Sequence, residues 1–232
     1  IKDKDFSYLR KIKTEFYNKI NKNISRNDFI IICVPTPVKS NLKPDLGYIK
    51  TTSELIAKYL VKNQIVILES STYPGTTDEV LVKILNKSGL IYNKDYFVAY
   101  SPEREDPGNK KFTTSKITKI VGCDNNKISN IVQSLYKNIV KNTFKVSNNR
   151  TAEAVKLTEN IFRSTNIALI NELKIIFKKL DINIWEVIEA AATKPFGYMK
   201  FEPGPGLGGH CIPCLLYTSD AADEGLGVDL GG

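Results

Sequence analysis

A cysteine in a loop rich in glycine and proline is the strongest candidate for chemistry in this sequence. Cys211 lies in the run 202–213, which contains four glycines and three prolines. Glycine lets a backbone approach a ligand closely and proline fixes turns, so the composition predicts a shaped loop. A thiol presented by such a loop is a better candidate nucleophile than one in an apolar run. The alternative is an incidental cysteine in a surface loop.

A second candidate group lies at the start of a long predicted helix, 151–180. Glu153, Lys156 and Asn160 are three and four residues apart and therefore share one face. A lysine beside an asparagine can stabilise a developing oxyanion. From spacing alone, however, a solvated polar face is the favoured interpretation, with the apolar face that includes Leu157 and Ile161 turned inward.

The elements that must position these residues alternate along the chain. Apolar, β-branched runs predict strands, and periodic segments between them predict helices. The predicted strands are 29–34, 64–68, 96–100 and 117–121, and the predicted helices are 48–62, 76–87 and 128–140. This alternation predicts an α/β fold with a doubly wound parallel sheet up to about residue 146. The first run is typical of a strand buried on both faces, which would place Cys33 in the core.

Two loops follow predicted strands at positions where ligands of open α/β sheets bind. In the first, 69–79, Thr76 or Thr77 is expected to cap a helix whose N-terminus suits a phosphate. The second, 101–109, carries several charged side chains. No G-x-G-x-x-G follows a strand, so a dinucleotide domain here would lack its phosphate-binding first half.

Composition excludes several classes of function. The net charge of +8 comes from lysines scattered singly along the 232 residues, which argues against a nucleic-acid partner. No apolar run has membrane-spanning length, so no membrane partner is expected. Four cysteines without framework spacing indicate a reducing, cytoplasmic location. The absence of an initiator methionine predicts that the sequence is a fragment.

Five ordered motifs give a specific resemblance over nearly all of residues 28–213. They are 33–37 (CVPTP), 71–77 (STYPGTT), 101–104 (SPER), 152–157 (AEAVKL) and 208–211 (GGHC). Together they resemble the UDP-glucose/GDP-mannose dehydrogenase family of nucleotide-sugar 6-dehydrogenases. The resemblance implies an incomplete, Rossmann-like NAD-binding domain over 1–147, followed by the start of a helical central domain over 148–213. It agrees with the excess of apolar residues on helix 151–180, which predicts a homodimer contact.

The family resemblance implies oxidation of a sugar C6 alcohol to a carboxylate, with two NAD⁺ as hydride acceptors. Cys211 matches the nucleophile that forms a thiohemiacetal and then a thioester. Lys156 and Asn160 match residues that stabilise the oxyanion and position water. Thr72 matches a threonine that orders this water, and Glu103 a carboxylate of the same site.

The resemblance also assigns binding residues, and it implies no metal site. The expected NAD contacts are Pro35, Thr36, Ser71 and Thr72. The expected contacts to the UDP-sugar are Glu103, Arg104, Lys156, Gly206, Gly208, Gly209 and His210. Segment 192–198 and His210 favour UDP-N-acetylglucosamine, for surface polysaccharide biosynthesis. The alternatives are UDP-glucose, UDP-N-acetylmannosamine, or a non-catalytic α/β module that only binds a nucleotide.

The sequence departs from the family pattern after Pro213. The family continues with a hydrophobic residue and an aspartate that acts as a base, whereas residues 214–232 resemble the translation of a sequencing adapter. We therefore expect this segment to be non-native, which also removes a Cys211/Cys214 zinc or redox motif. With the glycine fingerprint and the aspartate absent, the chain as written is expected to be inactive.

Overall fold

Five strands form one sheet in the computed structural model, which describes residues 20–37, 39, 44–105 and 113–204. The strands lie in the order β1-β2-β3-β4-β5 across the sheet. Their bounds are β1 Phe29–Ile32, β2 Ile65–Leu68, β3 Phe97–Tyr100, β4 Lys119–Gly122 and β5 Thr143–Val146. The first four lie where the apolar runs predicted them. The sequence did not predict β5, a four-residue strand in which Phe144 is exposed.

The sheet is mixed and not wholly parallel. β1, β2 and β3 are parallel neighbours, and β4 is parallel to β5. β3 and β4, however, pair antiparallel where Tyr100 lies opposite Gly122. A parallel pair needs a crossover connection, usually a helix, and the described residues between β3 and β4 form none. The predicted α/β class with a mainly parallel sheet is therefore confirmed, and the antiparallel pairing of β3 with β4 is a feature that the sequence did not predict.

Helices follow the strands as the periodicity predicted. Their bounds are α1 Gly47–Ala57, α2 Lys83–Leu85, α3 Asn126–Lys137, α4 Asn149–Lys179 and α5 Ile184–Ala192. A π-helical segment, Thr77–Val82, leads into α2, and a 3-10 turn, Asn86–Ser88, ends it. Another 3-10 turn, Lys22–Arg26, precedes β1. No helix in these described ranges is both long enough and apolar enough to span a membrane.

The core lies on both faces of the sheet. Ile49 and Ile56 of α1 and Leu85 of α2 pack with Val66 and Leu68 on one face. On the other face, α3 packs against β2, β3 and β4, with apolar side chains that include Val132, Ile67 and Val121. Each fully buried aliphatic side chain contributes about 1.5–3 kcal/mol relative to exposure. A separate cluster of Ile170, Ile184 and Ile188 joins α4 to α5.

Strand β1 is less buried than the sequence predicted. In the described structure it pairs only with β2, and Ile31 is 43 % exposed. Cys33 follows the strand and is itself exposed, so the prediction that it belongs to the core was wrong. An apolar run alone does not show which of its faces another element covers.

The start of α4 lies directly against the sheet at Gly122. A Cβ built on Gly122 would stand 2.5 Å from the Ala152 Cβ and 2.5 Å from the Asn148 main-chain oxygen. Only glycine permits this approach. Asn148 also caps α4, because its side-chain oxygen accepts a hydrogen bond from the Thr151 N–H at 2.7 Å. The first turns of α4 are therefore fixed beside Tyr100, where β3 ends.

Candidate active site

The polar face of α4 is buried in the structure. Glu153 is 0 % exposed and Asn160 is 8 % exposed, while Lys156 is half-buried. Leu157 and Ile161, which were expected to turn inward, are only partly buried. The interpretation of a solvated polar face, based on spacing alone, was therefore wrong. The loops after β2 and β3 carry enough polar groups to pair with this face, and buried polar groups need such partners.

The Glu153 carboxylate binds the loop that follows β2. One oxygen accepts hydrogen bonds from the Thr77 N–H at 2.8 Å and the Thr77 hydroxyl at 2.6 Å. The other accepts one from the Gly75 N–H at 2.6 Å. The Thr72 hydroxyl lies 3.5 Å from the first oxygen. Burial raises the pKa of Glu153, while the hydrogen bonds from Thr77 and Gly75 act in the opposite direction.

This arrangement corrects two expectations about the helix N-terminus after β2. Its Gly75 and Thr77 amides, expected to suit a phosphate, already donate to Glu153. Neither threonine caps the helix as predicted: the Thr76 hydroxyl donates to the Tyr73 carbonyl at 2.9 Å, and that of Thr77 donates to Glu153. The anion at this helix terminus is therefore supplied by the protein itself.

Gly75 has the one backbone conformation in this loop that requires glycine. Its φ angle is +102°, in a region that side-chain-bearing residues rarely adopt. In this conformation its N–H points at Glu153. The Pro-Gly turn in the sequence thus serves to deliver an amide to a buried carboxylate.

Lys156 binds the loop that follows β3. Its Nζ donates to the Glu103 main-chain oxygen at 2.5 Å. The Glu103 carboxylate accepts a hydrogen bond from the Glu105 N–H, also at 2.5 Å, and so closes a turn within its own loop. The structure thus brings Lys156 to the Glu103 main chain, and the site role expected of the Glu103 carboxylate stays a prediction.

The Arg104 guanidinium makes three polar contacts, two with the Glu159 carboxylate and one with a main-chain carbonyl. Its Nη2 lies 2.6 Å from Glu159 Oε1, its Nε 3.3 Å from Glu159 Oε2, and its Nη1 2.7 Å from the Thr118 carbonyl. Such a two-point pair fixes the guanidinium plane. Arg104 therefore ties the loop after β3 to α4 and to the start of β4. Its assignment to substrate stays a prediction.

Asn160 carries a buried donor one helical turn beyond Lys156 on α4. The Nδ2 of its side chain has no hydrogen-bond partner among the described residues. Leaving such a donor unpaired costs about 1–3 kcal/mol. Thr72 is 1 % exposed and lies on the loop that Glu153 binds. Glu153 itself is one helical turn before Lys156 on α4. Ser129, Thr143 and Asn149 also have buried polar atoms without a partner in the described structure, so the position of Asn160 one turn beyond Lys156, and not the missing partner alone, makes it a candidate ligand donor.

The residues expected to contact NAD join the loops after β1 and β2. The Thr36 hydroxyl donates to the Ser71 carbonyl at 2.8 Å, and the Ser70 hydroxyl donates to the Val34 carbonyl at 2.7 Å. Pro35 is exposed at this carboxyl edge of the parallel strands. The edge therefore fits one side of a nucleotide cofactor. The amides of Gly75 and Thr77 do not fit its phosphates, because Glu153 holds them.

Part of the expected site lies outside the described residues. Gly206, Gly208, Gly209, His210 and Cys211 belong to this part. The loop's described beginning lies on α4: the Gly204 N–H donates to Asn171 Oδ1 at 3.0 Å, and Phe201 packs edge-on against Phe162. Within the ranges that the structure covers, no cluster of His, Cys, Asp or Glu could hold a metal ion.

Sequence reasoning noticed Glu153 but gave it no role, and it missed Glu159. Both acids lie on the first three turns of α4, in the same stretch of helix as Lys156 and Asn160. Their position close to Lys156 and Asn160 on one predicted helix was the signal available in the sequence. Spacing does not reveal burial, so only the fold could separate these acids from surface ones.

Comparison with known proteins decides the family. The profile of the NAD binding domain of the UDP-glucose/GDP-mannose dehydrogenase family matches residues 7–140. The profile of that family's central domain matches residues 150–230. The chain belongs to the UDP-glucose/GDP-mannose dehydrogenase family. The predicted resemblance and the family's NAD-binding domain are thereby confirmed. The central-domain match includes part of 214–232, whose assignment to an adapter stays a prediction.

Individual relatives are similar over most of the chain. Protein CapL of Staphylococcus aureus is 45 % identical over 84 % of the chain and 46 % of its own length. A UDP-N-acetyl-D-glucosamine 6-dehydrogenase of Pseudomonas aeruginosa is 45 % identical over 89 % of the chain and 49 % of its length. The structure of a UDP-N-acetylmannosamine dehydrogenase from Pyrococcus horikoshii matches 82 % of the chain and 45 % of that protein, with 38 % identity and a TM-score of 0.77. The chain spans about half the length of these relatives.

The thiol of Cys33 belongs to a cluster beside the site. Lys119 Nζ lies 2.9 Å from a Glu69 carboxylate oxygen, and the Tyr136 hydroxyl donates to the other oxygen. Partial burial of the Cys33 thiol, reinforced by the negative charge of Glu69, raises its pKa to about 11.

We therefore expect Cys33 to react slowly although it is exposed. A raised pKa lowers the thiolate fraction, so iodoacetamide at pH 8 should label Cys33 roughly 100-fold more slowly than an unhindered thiol. The rate should keep rising about tenfold per pH unit toward pH 11. Mass spectrometry of the peptide containing Cys33, with the urea-unfolded chain as control, measures this. A plateau below pH 9 would contradict the stated environment.

Proposed function

We propose that the complete protein is an NAD-dependent nucleotide-sugar 6-dehydrogenase that oxidises UDP-N-acetylglucosamine to the corresponding uronic acid. The observation that carries the proposal is the buried polar face of α4. On this face Lys156 binds the Glu103 carbonyl after β3, and Glu153 binds the loop after β2 that carries Thr72. The Asn160 amide, which has no partner among the described residues, lies one helical turn beyond Lys156. A buried donor and an ammonium group on one helix face, next to a loop with a hydroxyl, suit the stabilisation of an oxyanion.

Each residue has a role in the proposed reaction. Bound NAD⁺ accepts hydride, twice for each sugar. Cys211 attacks the C6 aldehyde through its thiolate, and Lys156 and Asn160 hold the oxygen that becomes negative. Thr72, held in its loop, orients the water that releases the acid. Pro35, Thr36 and Ser71 line the cofactor side of the site.

Covalent geometry permits Cys211 to reach Asn160. Asn171, which binds the Gly204 N–H, is eleven residues from Asn160, or about 16 Å along the helix. The seven residues from Gly204 to Cys211 span up to about 25 Å when extended. The glycine-rich loop is therefore long enough to return to the polar face of α4.

Two observations favour the N-acetylglucosamine nucleotide. Relatives with that name in Pseudomonas aeruginosa and Salmonella typhi are 45 % and 40 % identical over 89 % and 92 % of the chain. Relatives named for N-acetylmannosamine in Pyrococcus horikoshii and Campylobacter jejuni are 36 % and 42 % identical over 88 % and 80 % of the chain. His210 also stands where the UDP-glucose enzymes of the resembling family usually have serine. UDP-N-acetylmannosamine and UDP-glucose are the alternatives, with products that would serve the same class of surface polysaccharide.

The complete gene product should produce two NADH per UDP-N-acetylglucosamine and turn over UDP-glucose and UDP-N-acetylmannosamine more slowly. NADH absorbance under each of the three sugars measures this. Cys211→Ser should lower kcat at least about 1,000-fold, because a hydroxyl at its ordinary pKa is a poor nucleophile. Cys33→Ser is the matched control and should keep wild-type kcat. Unchanged turnover by Cys211→Ser would favour the non-catalytic module.

Asn160 should matter for catalysis and not for stability. Removing an oxyanion donor lowers kcat by about 100- to 1,000-fold, so Asn160→Ala should do so with little change in KM. The same change removes an unpaired buried donor, so we expect the urea midpoint of unfolding not to fall. Asn166→Ala, on the same helix, should keep full kcat. A destabilised Asn160→Ala variant with normal kcat would show a structural role instead.

We also propose that the complete protein forms a homodimer through α4. Phe162, Leu169 and Ile176 are exposed and seven residues apart, so they form one apolar stripe on the helix. An exposed stripe of large apolar side chains is typical of a protein interface.

Charge placed on this stripe should dissociate the dimer. The double variant Leu169→Lys/Ile176→Lys should sediment as a monomer at concentrations where the wild type is a dimer, because each lysine would be buried unpaired in the interface. Ile91→Lys, an equally exposed apolar position outside α4, is the control. A dimeric double variant, or a monomeric wild type, would contradict the proposal.

A further inference from the structure

We propose that Glu153 is a positioning residue of the site: it fixes residues 72–77 against α4 so that Thr72 stands in register with Lys156 and Asn160. The inference rests on the proposed function. Glu153 is 0 % exposed and loop donors already occupy both of its carboxylate oxygens, so it acts through the loop and not on the substrate.

The contacts of Glu153 all converge on one loop. Its two carboxylate oxygens accept hydrogen bonds from the Gly75 N–H, the Thr77 N–H and the Thr77 hydroxyl, at 2.6 to 2.8 Å. Two of these donors belong to the backbone, so the carboxylate fixes the main-chain path and not only a side chain. Thr72 lies three residues before Gly75 and approaches the same carboxylate at 3.5 Å.

The chemistry of these contacts favours a carboxylate over any side chain of similar size. A glutamine at this position would present one oxygen and one NH₂ group. With three donors already converging, the NH₂ group would face a backbone N–H, and one donor would lose its acceptor. An apolar side chain would leave all three donors unpaired. Burying a charged group is costly in free energy. Here the buried carboxylate fixes the main-chain path of the loop.

The place of Glu153 on α4 connects this loop to the catalytic residues. Lys156 is one turn further along the helix and Asn160 two turns, on the same face. Lys156 binds the loop after β3 through the Glu103 carbonyl. One rigid helix therefore sets the distance between the two loops, and displacement of either by about 1 Å can lower a rate 100-fold.

The kinetic test uses the complete gene product with UDP-N-acetylglucosamine and NAD⁺. Glu153→Gln should lower kcat about 100-fold and change the KM of the sugar nucleotide less than about threefold. Glu172→Gln, an exposed acid on the same helix, is the matched control and should keep wild-type kcat. Thr72→Val should also lower kcat. The Glu153→Gln/Thr72→Val double variant should lose less than about threefold more than Thr72→Val alone, because both changes remove the same arrangement.

A second measurement does not depend on turnover. Hydrogen exchange of peptides covering residues 73–79 should be at least about tenfold faster in Glu153→Gln than in wild type, because one backbone amide loses its acceptor and the loop is then held less firmly against α4. Exchange in Glu172→Gln should match wild type. Unchanged exchange in Glu153→Gln would overturn the inference. So would a normal kcat, or losses that multiply in the double variant.

The two proposals fail differently. A wild-type protein that oxidises none of the three UDP-sugars refutes the proposed function, whatever the exchange data show. An active wild type whose Glu153→Gln variant is equally active refutes only the positioning role. An active wild type with a slow Glu153→Gln variant, faster loop exchange and no further loss in the double variant supports both.

Discussion

The hydrogen bonds between the buried Glu153 carboxylate and the loop after β2 are the interactions around which the candidate site is arranged. A charged group in the interior needs donors, and here they come from the Pro-Gly turn after β2. That requirement explains the positive φ of Gly75 and the use of a helix N-terminus that would otherwise attract an external anion. It also places α4 at the carboxyl edge of the sheet, where nucleotide ligands of this fold class bind.

The first half of α4 is held mainly by polar contacts and close backbone packing. Gly122 lets the helix approach β4, Lys156 binds the loop after β3, and Arg104 pairs with Glu159. Further along, the helix packs on α5 through Ile170 and its neighbours, with an exposed apolar stripe on another side. Different faces of this one helix thus pack on the sheet, contribute residues to the site and form the proposed partner surface.

Much of the fold was predictable, because strands and helices leave regular patterns. Four of the five strands and the course of α1, α3 and α4 followed from apolar runs and periodicity. The errors and omissions have a common origin. The direction of β4, the exposure of Cys33 and the burial of the polar face of α4 all depend on which elements become neighbours, and local patterns do not record this.

The sequence by itself determined the α/β class, the family and the residue types available for chemistry, because ordered motifs and periodicity are properties of the chain. Tertiary structure decided what those residues do to each other. It buried Glu153 among three donors, paired Lys156 with the Glu103 carbonyl and Arg104 with Glu159, and left the Asn160 amide unpaired in the described structure. These outcomes arise between residues more than fifty positions apart, and only packing brings such groups within hydrogen-bonding distance.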